Sequence, residues 1–154
     1  MAKIYHKFTI EAPASNVYLL LTTIDGLKKW WMKDSIGHAD KVDGEIEFGD
    51  KKRFYNKVKV THLEKDKKIM WKILESISPN EDAKIWNNTT IEIDLEEKQL
   101  ARLDGKTATV ALFKHDGWPQ GSEDTKSFAE ANFYWALSLI GLKNVSEGKP
   151  GSPM

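Results

Sequence analysis

The stretch from Ser122 to Glu147 constrains this chain more than any other, because it is helix-forming throughout and apolar on nearly every side. Phe128, Ala131, Phe133, Trp135, Leu137, Leu139, Ile140 and Leu142 do not fall on one narrow stripe. A helix apolar around its circumference is normally buried on more than one face. Most of what precedes it reads as strands, so a sheet closing around the helix is the arrangement that buries it. Such a closure makes an apolar interior, and an interior of that kind can hold a ligand.

The strand pattern starts at once. Lys3 to Glu11 alternates, with Ile4, His6, Phe8 and Ile10 on one face, the period of a half-buried strand. Pro13 opens a short helix, as proline does at a first helical position, and Val17, Leu20, Leu21 and Ile24 carry its buried side. Asp25-Gly26 is expected to break that helix before a second short turn, Leu27 to Met32, which ends in Trp30-Trp31. From Gly44 to His115 the period of two returns. Ile46 and Phe48 share one parity; so do Phe54, Asn56, Val58, Val60 and His62; so do Ile69, Trp71 and Ile73; and so do Thr89, Ile91, Ile93 and Leu95. Lys106 to His115 is apolar on both faces and is expected near the middle of the sheet. The sum is an α+β domain: two short helices after strand one, a curved antiparallel sheet of about six strands, and a long C-terminal helix. Gly148 to Pro153 stops that helix, so the domain is read as residues 1–148 and the tail 149–154 as disordered.

Composition narrows the function classes. A chain of 154 residues suits one domain with its own core. Its 23 basic and 23 acidic side chains cancel, and nucleic-acid binding needs a basic footprint, so no nucleic-acid partner is expected. The absence of cysteine excludes disulfides, thiolate metal sites and a cysteine nucleophile. His6, His38, His62 and His115 fit no metal-ligand spacing, so neither metal nor cofactor is expected. The N-terminus has no continuous apolar segment of the signal-peptide kind, and no run approaches the ~18 apolar residues of a membrane span. A cytoplasmic location without membrane insertion is the expectation.

Four segments, in order, resemble one family. They are Ile10-Glu11-Ala12-Pro13 with Val17-Tyr18 and Leu21-Thr22; Trp30-Trp31; His115-Asp116-Gly117-Trp118-Pro119; and Trp135 with Leu139, Leu142-Lys143 and Glu147-Gly148. Together they are similar to the START-like superfamily of helix-grip fold, in the branch named for homology to an activator of a heat-shock-protein ATPase. The likeness spans roughly residues 3 to 150. It implies a cavity between sheet and long helix, and a superfamily of apolar-molecule carriers, receptors, cyclases and co-chaperone domains. Fold does not fix function, so the residues must decide between these. This chain departs from a pure lipid carrier in the polar Asn56 and His62 on a cavity-facing parity, and Asp82 to Asn88 matches no family motif.

The residues expected to line the cavity are Phe48, Phe54, Asn56, Val58, Trp71, Ile73, Ile91, Phe113, His115 and Trp135. Indole rings suit a pocket that holds a ring or chain. Trp71 and Trp135 are placed on its walls, while Trp30 and Trp31 are assigned to packing the two short helices. His115 is placed at the cavity mouth, where a neutral imidazole either reads or activates a ligand or ties down the following turn. His6 is read as a satisfied core histidine and His38 as solvated. No acid–base dyad and no nucleophile elbow is present, so no catalytic residue is assigned. Non-catalytic binding of a small apolar or amphipathic molecule is the favoured reading. A cyclase- or hydration-type enzyme using the same cavity is one alternative. A co-chaperone-like module with a protein partner is another, marked by an exposed apolar patch.

Overall fold

The computed structural model describes residues 2–79 and 81–154. Strand β1 (Ile4–Ile10) leads through Pro13 into helices α1 (Ala14–Thr22) and α2 (Ile24–Trp30). Strands β2 (Ile36–Gly37), β3 (Glu45–Asp50), β4 (Phe54–Glu64) and β5 (Lys68–Ile77) follow, then a 3-10 segment over Glu81–Trp86. Strands β6 (Thr90–Leu100) and β7 (Lys106–Asp116) precede the long helix α3 (Lys126–Ser146). All pairings are antiparallel, in the order β1-β7-β6-β5-β4-β3-β2. The curved sheet thus has seven strands rather than about six, the addition being the two-residue β2, too short to show a period. Strand β7 does pair on both sides, but it lies second from an edge, because β1 returns to cover it.

The α1–α2 break lies at Thr23, not at Asp25-Gly26. Thr23 is extended and its hydroxyl accepts from the Gly26 N–H, so it serves as the N-cap of α2 and Gly26 lies inside that helix. A cap residue carries this boundary better than the glycine.

Two irregularities in the β4–β5 ladder decide which side chains face inward. Asn56 pairs with Ser76 and Lys57 with Glu75, but Val58 pairs with Ile73, so Leu74 is an extra residue on β5. Val60 then pairs with Trp71 and His62 with Met70, so Thr61 is extra on β4. A bulge resets side-chain parity beyond it. Hence β5 buries Ile69, Trp71 and Ile73, then Ser76 instead of Glu75. On β4 the second bulge turns His62 outward, where it is exposed and lies 3.2 Å from Glu64, and Leu63 takes the inner side.

Helix α3 crosses the concave face. Ala131, Trp135, Leu139 and Leu142 are buried against the sheet and the two short helices. Gly141 permits that approach, since a Cβ there would stand 3.0 Å from the Trp30 carbonyl oxygen. The expectation of burial on several faces fails for this helix. Phe133, Leu137 and Ile140 are 67%, 52% and 54% exposed, because the sheet grips one side of α3 and none of the described residues covers the other. At its C-terminal end, the Glu147 carboxylate accepts from the Glu11 N–H (2.8 Å) and from Lys143, joining α3 to the β1–α1 junction. Burial opposes that charge, but these hydrogen bonds outweigh it and hold the carboxyl below its ordinary range.

The tail, expected to be disordered, runs back along α2. The Met154 N–H donates to the Trp31 carbonyl (3.0 Å) and the Met154 carbonyl accepts from Lys33 (2.8 Å). Gly148, at a φ of 83°, closes the helix end, and the residues beyond it pair with backbone groups past the end of α2.

Trp71 and Trp135 are wholly buried between sheet and helix. Trp71→Ala should therefore lose about 3–5 kcal/mol in urea unfolding. A loss below about 2 kcal/mol would show that the ring does not fill a packed core.

Candidate functional site

The aromatic core is organised around Trp31. Its ring stacks on Trp71 (centroids 5.2 Å apart, planes 4° apart) and on Trp30 (5.7 Å, 14°), and Phe48 meets it edge-on at 4.7 Å. Its indole N–H donates to the Tyr134 hydroxyl at 2.6 Å. Burial keeps that hydroxyl protonated well above the ordinary tyrosine range. Trp31 thereby joins α2, β5 and α3. Trp30 packs as expected, its N–H bonded to the Leu20 carbonyl of α1.

Beside Trp31 lies a cavity of about 120 Å³, bounded by β3–β5, the 3-10 segment and the first half of α3. Its walls include Trp31, Phe48, Phe54, Ile73, Trp86, Ala131 and Tyr134. A row of directly paired residues crosses the sheet at this point, Phe48 opposite Asn56 and Asn56 opposite Ser76. Asn56 is 4% exposed, and its side-chain oxygen has no hydrogen-bond partner among the described residues.

The 3-10 segment is anchored at both ends. The Asn87 side-chain oxygen accepts from the Ser76 N–H (2.8 Å), and the Asp82 carboxylate accepts from Ser127 N–H at the start of α3 (3.2 Å). Those bonds hold Ala83 and Trp86 over the cavity. Asp82 to Asn88, the part of the sequence that fitted no motif, is therefore a wall of the site.

Of the ten residues expected to line a cavity, the structure brings Phe48, Phe54, Asn56 and Ile73 to this one. Val58, Trp71, Ile91, Phe113, His115 and Trp135 lie instead in the closed core beside it. Sequence parity alone cannot separate these groups, since both face the concave side. The lining residues it missed include Trp31, Ser76, Trp86, Ala131 and Tyr134. Ser76 was hidden by the bulge at Leu74, and Trp31 by its place beside Trp30 at a helix end.

His115 does not stand at a mouth. It is wholly buried, flanked in the sheet by Ile4 and Ile91. The Trp135 N–H donates to Nδ1 (3.0 Å), so the neutral ring carries its proton on Nε2, which donates to the Thr89 hydroxyl at 2.7 Å. Burial pulls the imidazole down to about 3. With both nitrogens hydrogen-bonded inside the protein, this ring ties β7 to α3 and to the turn before β6. The indole N–H of Trp118 also donates to the His115 carbonyl (2.9 Å). His6 differs from its expected state, because its Nε2 has no partner among the described residues, while His38 is exposed.

Comparison with known proteins agrees with this architecture. The family described as Activator of Hsp90 ATPase homolog 1-like protein matches residues 11–147. The chain belongs to this family. A solved relative, the Aha1 dimer from Colwellia psychrerythraea, is 31% identical over 96% of this chain and 97% of that one, with a TM-score of 0.73. A protein of Mesorhizobium loti (11% identity, 92% and 94% covered, TM-score 0.70) and one of Chromobacterium violaceum (18%, 94% and 96%, TM-score 0.68) share the fold. The chain has no significant match among curated proteins. No described helix is long and apolar enough to cross a membrane.

The lowered His115 pKa has a signed consequence. The folded value lies below the unfolded one of about 6.5, so below that pH the unfolded state binds a proton that the folded state refuses. Stability should fall as pH drops from about 6.5 toward 3, by up to ~1.4 kcal/mol per pH unit from this residue. Urea titrations of the wild type and His115→Asn across that window should differ in slope by this contribution. Identical slopes would show that the ring titrates freely when folded.

Proposed function

We propose that the protein is a non-catalytic binder of a small, partly apolar molecule, held in the cavity between β3–β5, the 3-10 segment and α3. The observation that supports this most is the coincidence of an aromatic-walled void with the unpartnered amide oxygen of Asn56. Buried polar groups are normally hydrogen-bonded, and one left open beside a void marks a place for another molecule. The size of the void favours a compact ligand over a lipid chain, since drug-sized sites span roughly 300–1,000 Å³. An enzymatic reading loses its leading residue, because His115 lies outside the cavity with its ring nitrogens occupied.

Native mass spectrometry of freshly purified protein tests the proposal. It should show a co-purified small molecule that is lost in Ala131→Met, which fills the void from α3 with a folded spectrum retained. A protein free of small molecules that also binds none from a cell extract would contradict it.

A second reading stands on a separate observation. From Ala131 to Leu142, α3 carries no charged residue, yet Phe133, Leu137 and Ile140 face solvent. Exposed apolar patches of this kind mark association surfaces, and a two-fold pair of copies uses the same patch on each. The Colwellia psychrerythraea relative is a dimer. We propose a second copy of this chain as the occupant of that face. Analytical ultracentrifugation should show a concentration-dependent dimer that Leu137→Lys reduces to monomer. A wild type that stays monomeric at every concentration would exclude it.

A further inference from the structure

The chemistry of the cavity narrows its ligand further, on the reading that the cavity binds a small molecule at all. We propose that it takes a single aromatic ring carrying one hydrogen-bond donor, a molecule of the phenol class, with the Asn56 side-chain oxygen as the acceptor.

Three observations carry this. The first is size. At about 120 Å³ the void is close to the roughly 150 Å³ engineered cavity that admits benzene, so it has room for one ring. The second is the wall. Trp31, Phe48, Trp86 and Tyr134 present rings from four different segments, which favours a planar partner by offset or edge-on contact. The third is polarity. The Asn56 oxygen accepts only, so the group that completes it must donate.

The position of Asn56 is built, not incidental. Strand pairing puts Phe48 on one side of it and Ser76 on the other, all three facing the same side, and the bulge at Leu74 brings Ser76 onto the face that carries Ile73. The ligand's ring would lie toward the indoles and its donor toward this polar row.

Isothermal titration with phenol, anisole and toluene separates the terms, since the three share a ring but differ as donor, acceptor and neither. Wild type should bind phenol at least about tenfold more tightly than the other two, equivalent to roughly 1.4 kcal/mol. In Asn56→Leu, folded by circular dichroism, that preference should vanish while toluene still binds. A second readout needs no variant: phenol should shift the Asn56 side-chain amide resonances of the wild type further than toluene does, since toluene perturbs them only through its ring current. Anisole or toluene binding the wild type as tightly as phenol would overturn the ligand class while leaving the cavity reading intact. Failure of all three to bind would remove the single-ring class and the preformed site together.

Discussion

The stack of Trp31 between Trp30 and Trp71 is the contact on which the rest depends. It puts a residue from the end of α2 against the middle of the sheet, and its N–H reaches Tyr134 on α3. Three parts of the chain distant in sequence are fixed by one side chain. Ring stacking contributes beyond area burial, and a buried indole N–H without a partner is costly, so the Tyr134 contact is part of the constraint. Because Trp31 is locked on all these sides, it cannot swing into the adjoining void. The cavity and the hub are therefore one design, with rigid rings on one side and the anchored 3-10 segment on the other.

Beside the cavity lies a closed core with a different task. His115, Thr89 and Trp135 form a chain of hydrogen bonds inside it, and every nitrogen of the imidazole is spoken for. A buried polar network that is fully satisfied fixes geometry; it does not offer groups to a ligand. The segment His115-Asp116-Gly117-Trp118-Pro119 fastens the last strand to the last helix through these bonds. Gly117 fits the same role, since its positive φ of 82° suits the turn that leaves β7.

Much of this fold was legible in the sequence. Alternation in Ile4 to Ile10 and in Ile69 to Ile73 located strands, Pro13 located a helix start, and the ordered segments from Ile10 to Gly148 pointed to the family. The site was less legible, for two physical reasons. Parity is a local signal, and single extra residues at Leu74 and Thr61 reverse it, which brings in Ser76 and turns out His62. Facing the concave side is also not the same as facing a void: Trp71 and Phe48 share that side, but the Trp31 ring covers the first and leaves the second on a wall. The exposed face of α3 was misread because apolar residues all round a helix imply burial only when something is there to cover them. Among the described residues nothing is, and Phe133, Leu137 and Ile140 stay exposed.

The central claim is a preformed cavity, held open by the Trp31 hub and distinct from the His115 core. Diffraction from crystals of the protein held under xenon pressure tests it directly, since xenon enters genuine apolar voids. One xenon site is expected between Asn56 and Trp86, with Trp31 unmoved and no density beside His115. An empty map with Trp86 or Phe54 collapsed into the space would contradict it.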